Sequence, residues 1–163
     1  MQNAKDTFYT MLQTRLAALN PARTIVVRGV IRPGTLVAEN ELPTALIATD
    51  AFRLEWTALH ITAAAPLPWV AIECALHYAT DGDGGSVMAR GRALASMDAE
   101  LAAALAAEPH SIAKINYAGA APVTMATKVF WADPIFSPAT VLDGRLARTA
   151  TVQVFAYQEA GEL

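Results

Sequence analysis

The chain has 163 residues, 54% of them hydrophobic and only 17% charged, with a formal net charge of −3; its mean hydropathy is +0.31 and its pI near 5.5. Soluble domains typically carry about 25% charged residues, so part of this chain's outside is predicted to be another subunit's inside. The acidic balance disfavours the counterion-release binding that holds nucleic acid, and a single cysteine, Cys74, excludes an internal disulfide framework and a multi-cysteine metal site.

A chain of this length is predicted to form one domain over residues 1–163. Its first six residues lack the charged-then-apolar order of a secretory signal. The longest uncharged stretch, residues 56–72, contains His60, Pro66 and Pro68 and does not read as a membrane helix.

In chain order, Phe8, Met11, Leu12, Leu16 and Leu19 fall at helical spacing, which predicts a short amphipathic helix over residues 7–19, capped by Asp6 or Asn3 and ended by Asn20-Pro21. From Arg23 the period becomes two. One strand is predicted to run to Pro33-Gly34, with Ile25, Val27 and Ile31 on one face and Thr24, Val26, Arg28, Val30 and Arg32 on the other. Residues 35–41 continue after that turn, and Pro43 opens another apolar stretch at 44–49. Residues 52–62 and 69–80 read as long strands whose connection is too short for a crossover helix, hence an antiparallel pair.

After Asp81-Gly82-Asp83-Gly84-Gly85 a long helix is predicted, with Ser86 as its N-cap, Val87, Leu94, Met97, Leu101 and Leu105 along one face, and Glu108-Pro109 as its stop. Residues 112–117, 127–131 and 148–157 read as further strands, the last with β-branched and aromatic residues on both faces and so predicted to be covered on both sides. The predicted class is α+β: a mainly antiparallel sheet packed by one long helix and a short N-terminal helix.

No motif for covalent chemistry emerges. The glycine-rich turn has Val87 where G-x-G-x-x-G needs glycine, no Gly-Lys for a P-loop, and Arg92 where a calcium loop needs glutamate. Cys74 and His77, three apart on a strand, face opposite sides and cannot form a thiol–imidazole pair; Cys74 shares its face with Val70, Ile72, Leu76 and Tyr78 and reads as buried. His77 and Glu73 share the other face and read as a surface or interface pair. A His60/His77 metal site lacks a third ligand, and His110 at a helix end suits the dipole. No metal, cofactor or catalytic residue is assigned, and the protein is read as a non-enzyme.

Arg23, Arg28, Arg32 and Arg53 gather on neighbouring strands, where salt bridges are the ordinary reading. Phe130, Trp131, Ile135 and Phe136 cluster around Asp133-Pro134, either folded over their own core or offered as anchors to a neighbour. Arg28, Arg32, Trp69, Trp131, Ile135 and Phe136 are the candidate subunit or partner interface.

The order of these pieces resembles bacteriophage tail terminator or tail-completion proteins: a leading helix at 8–19, Leu42-Pro43-Thr44-Ala45-Leu46-Ile47, a hairpin over 52–80, a principal helix at 87–107, and a closing Arg148-Thr149-Ala150-Thr151-Val152-Gln153-Val154-Phe155-Ala156-Tyr157. The likeness covers most of the chain, and the segment between helix and last strand is longer here than in compact members. It implies a structural protein of the virion tail, assembled in the host cytoplasm, that caps the tail tube protein as a ring, six-membered in that family, and offers its other face to a head-completion or connector protein. Neither a membrane nor sequence-specific nucleic acid is an expected partner. The alternative from a different class is a small α+β enzyme or ligand-binding module, with a site between the sheet and the 133–143 loop using Glu73, His77 or Asp133.

Overall fold

A computed structural model describes residues 1–27, 30–38, 50–62, 68–80, 86–160 and 162. Arg28, the stretch at 42–49 and the glycine-rich turn at 81–85 lie outside the described residues. The first helix, α1 (Gln2–Leu19), buries Ala4, Thr7, Phe8, Met11, Leu12 and Leu16. It is 18 residues long rather than short, because Ala4 extends the apolar stripe of Phe8 and Leu12 by a full turn toward the N-terminus.

The stretch expected as one strand is a hairpin. β1 (Thr24–Val27) pairs antiparallel with β2 (Val30–Pro33), Val27 opposite Val30 and Val26 opposite Ile31. The reversal changes the parity: Val26 and Ile31 share a face, and Ile25, Val27, Val30 and Arg32 share the other. At its root Gly34 takes φ +88°, and a Cβ there would lie 3.3 Å from that of Ala17 on α1, so glycine suits both the turn and the close approach.

β3 (Leu36–Ala38) runs parallel to β4 (Phe52–Thr62), which pairs antiparallel with β5 (Trp69–Ala79) as the sequence predicts, with a register shift between Trp56 and Ala58. Ser86 Oγ accepts the Ala89 N–H at 3.2 Å and starts α2 (Val87–Ala106), whose buried residues are Leu94, Met97, Leu101, Ala104 and Leu105. Val87, expected on that face, is 75% exposed. There follow β6 (Ser111–Asn116), β7 (Val123–Trp131), β8 (Ile135–Phe136), β9 (Thr140–Leu142) and β10 (Arg145–Tyr157). Asp143 and Gly144, both at positive φ, join β9 to β10, the residue pair a two-residue hairpin favours.

The main sheet has the order β3-β4-β5-β10-β7-β6. β10 is central: β5 pairs with it along one side, while β7, β8 and β9 take successive stretches of the other. Both helices join one face of this sheet in a single apolar core that includes Phe8, Leu12, Ile72, Cys74, Leu101, Val152 and Trp131. Each such large side chain contributes about 1.5–3 kcal/mol by leaving water. Phe8 meets Trp56 and Trp131 edge-on, each at 6.0 Å. From α1, Arg15 Nη1 donates to the carbonyls of Ala104 and Ala107 at 2.9 and 2.8 Å, satisfying the C-terminal end of α2. Among the described residues no helix is long and apolar enough to cross a membrane.

Candidate interaction surface

Directly opposed residues in adjacent antiparallel strands share a face, so the register defines the side of the sheet away from the helices. One end of that side holds Arg53, His77 and Thr149 in one row and Glu55, Ala75 and Thr151 in the next. The other end holds His60, Ala71, Phe155 and Phe130, then Thr62, Trp69 and Tyr157. The hairpin β1–β2 overlies the β3 corner, where Ile25 and Val27 pack on Val37 and Ala51. The strand expected to be covered on both sides therefore has one buried face, through Ala150, Val152, Val154 and Ala156, and one only half-buried.

At the polar end, Glu55 Oε2 lies 3.2 Å from Arg53 Nη2 and 3.2 Å from His77 Nε2, and His77 Nδ1 lies 3.0 Å from Thr149 Oγ1. Burial, and then the Arg53 charge, push the His77 pKa below its ordinary value, outweighing Glu55. Glu73, expected beside His77, instead accepts from Thr57 Oγ1 at 2.8 Å and Gln153 Nε2 at 3.0 Å. Asp133 instead lies 3.9 Å from His110, which stacks on the core residue Trp131, while Glu73 and His77 keep separate partners on the other side of the sheet. His60 and His77 are also apart: His60 opposes Ala71, six residues from His77 on β5, about 20 Å at strand rise.

The Glu55–His77–Thr149 line has the order of acid, imidazole and hydroxyl. Arg53 shares the same carboxylate oxygen, and the Thr149 N–H is engaged as a donor to Ser137 Oγ at 3.2 Å. This arrangement links β5 to β10 through His77 and Thr149 and lays the Glu55 carboxylate of β4 beside the ring. Among the described residues no cluster of three or more His, Cys, Asp or Glu is placed to hold a metal ion.

The apolar end is different. Trp69, Phe130, Phe155, Ala156 and Tyr157 line an open hollow of about 370 Å³. Trp69 stands 6.3 Å from the Phe155 ring and 6.5 Å from His60, while Phe130 and Tyr157 remain 40% and 47% exposed. Of the other expected interface residues, Ile135 is 72% exposed beside Thr151 on this side. Phe136 packs against the core from the opposite face. Arg32 Nη2 donates to Leu36 O at 2.7 Å and Tyr9 Oη at 3.2 Å, fastening the hairpin to β3 and α1.

Trp131 corrects its assignment. It is 4% exposed, donates from Nε1 to Leu105 O at 3.0 Å, stacks on His110 and carries the Arg15 guanidinium 5.0 Å above its ring. It belongs to the core because it opposes Val154, on the helix side of β10. Sequence reasoning missed Phe155 and Tyr157 as a surface patch, and missed the outward Val26/Ile31 pair. The only local signal for the first was the two-residue period of 148–157, which places Phe155 and Tyr157 opposite to Val152 and Val154.

The chain matches no protein-family model and no curated protein.

Proposed function

We propose that this chain is a structural assembly protein that works by self-association, as a tail terminator or tail-completion component of a bacteriophage or prophage. The observation that carries this reading is the open aromatic hollow on a sheet face that the chain's own helices leave uncovered. Neighbouring aromatic side chains left partly exposed suit a protein contact better than a site for chemistry. A mainly antiparallel sheet backed by one principal helix and a leading helix also follows the element order that suggested the family.

In this reading the subunits close into a ring, six-membered by the family resemblance. One ring face meets the last layer of tail tube and the other offers a joining surface to a head-completion or connector protein. A head-to-tail contact closes into a ring when its rotation permits, and a ring whose two sides differ stops a polymer by fitting it on one side only. The working place is the virion tail after assembly in the host cytoplasm.

The Glu55–His77–Thr149 line favours a second reading, a small hydrolytic or binding module. Electron microscopy of polymerising tail tube protein with and without this chain separates the two. Tubes that stop growing and show added density at one end are expected. Tubes that elongate unchanged would sink the terminator reading.

A further inference from the structure

We infer that the aromatic hollow is filled by the β1–β2 hairpin of a second copy of this chain, an inference that rests on the self-association reading above. The hairpin is a two-stranded sheet of its own, separate from the main sheet. Such a ribbon is marginal in water unless something packs on it, and this one is packed on one side only. Ile25 and Val27 seat it on Val37 and Ala51, while on its other face Val26 and Ile31 oppose each other at 65% and 70% exposure. The flanking pair on that face is Thr24 and Pro33, so its described residues carry no charge.

The hollow cannot be served by its own hairpin. The hairpin's seat is at Val37, which pairs with Arg53, which in turn pairs with His77. Trp69 lies eight residues further along β5 and pairs with Tyr157, so seat and hollow are about 26 Å apart along the strands. A hairpin arm of four residues spans about 13 Å, and Val27, the last residue of β1, is held in the seat.

The described residues therefore display two apolar surfaces at opposite ends of one sheet, neither able to cover the other within a subunit. One is a convex β-branched pair and the other a concave aromatic hollow. Contact between unlike surfaces is heterologous, the kind that propagates around a ring, whereas a two-fold dimer would need one surface to match itself. Trp69 and Tyr157 have the character of interface anchors, aromatic and half-sheltered beside other rings.

Complementary variants test this. Val26→Glu/Ile31→Glu spoils the hairpin and leaves the hollow; Trp69→Ala/Tyr157→Glu spoils the hollow and leaves the hairpin. Sedimentation velocity is run on each, on the wild type, and on the two variants mixed, with circular dichroism to verify folding. The wild type is expected to self-associate up to millimolar concentration, and each variant to lose affinity by about a hundredfold or more, as hot-spot removal does. The mixture is expected to form a one-to-one dimer and nothing larger, because each mixed pair retains one intact contact. Association that survives both variants overturns this interface and leaves the assembly reading standing, as does a mixture that remains monomeric while the wild type associates. A wild type that stays monomeric at millimolar concentration overturns both. If the hollow variant misfolds, Tyr157→Glu alone replaces it, since that side chain is half-exposed.

Discussion

Along β5 the two faces meet different surroundings. Val70, Ile72, Cys74, Leu76 and Tyr78 are fully buried beneath the helices, whereas Trp69, Ala71, Glu73 and His77 stay partly exposed. An antiparallel sheet with one face in water normally alternates apolar and polar positions along each strand. Here the second face is polar at the end of Glu55, His77 and Thr149 and in the middle, where Glu73 meets Gln153. At the other end it places Trp69, Phe155 and Phe130 in neighbouring strands, an arrangement that gains nothing from water. The inner face is thus explained by the chain's own core, and the apolar end of the outer face is not.

The largest expected effect lies on the side of the molecule that is complete in one subunit. Lys114 on β6 is fully buried, and its Nζ donates to Tyr157 O at 2.6 Å and Glu162 Oε2 at 2.5 Å. Burial would raise the Glu162 pKa, but the Glu159 N–H, Lys114 and Asn3 together hold it below the usual carboxylate value. Lys114→Met leaves that carboxylate buried without its nearest cation and is expected to cost about 3 kcal/mol. The loss would appear as a lower urea midpoint, recovered in part by adding Glu162→Gln. A midpoint shift below about 1 kcal/mol would show the pair to be open to water and the inner side less closed than described.

Next in size is the direct contrast between faces. Ile72→Ala, under the helices, is expected to cost about 2–5 kcal/mol, while Thr151→Ala on the outer face should stay within about 0.5 kcal/mol. Equal losses for the two in urea unfolding of the monomer would mean that the outer face is part of the subunit's own core, and the comparison would fail.

The inner face was legible because its signals are local. The period of two over residues 69–79, the Ser86 cap and the stripe through Leu94, Leu101 and Leu105 each arise within one element. The leading helix was read short because Ala4 carries little hydrophobic signal. The hairpin at 24–33 was read as one strand because the β-branched residues run through it with only Arg28-Gly29 between Val27 and Val30. Asp143-Gly144 did carry a hairpin signal of its own, which the reading of that stretch as a loop passed over.

The outer face was not legible, since Trp69 meets Tyr157 only through the pairing of strands about ninety residues apart. The same long-range register put Trp131 inside, although Asp133-Pro134 beside it looks like an exposed loop. Of the candidate site, sequence found Trp69 and Ile135, and it placed Glu73 and His77 on one face without their partners, which come from β4 and β10.

The smallest effect probes the polar end of the outer face. Burial and Arg53 hold the His77 pKa below 6.5, against the pull of Glu55, the other charged group in contact with it. A histidine whose folded pKa is depressed binds protons more readily in the unfolded chain. Its neutral form supports the fold fully above about pH 6.5, and that support declines as pH falls from there toward the folded value, then levels off below both. His77→Gln retains hydrogen-bonding groups near Glu55 and Thr149 and removes the titration. Its urea midpoint should therefore fall less than that of the wild type between about pH 7 and pH 5. Parallel curves would mean that the imidazole titrates alike in both states, and a wild type that gains stability on acidification would mean that Glu55 dominates. In that second case the row would be an ion pair in the making, suited to moving a proton, and the enzyme reading would gain over assembly. The expected sign instead keeps the imidazole neutral beside the Arg53–Glu55 pair, joined to β10 through Thr149.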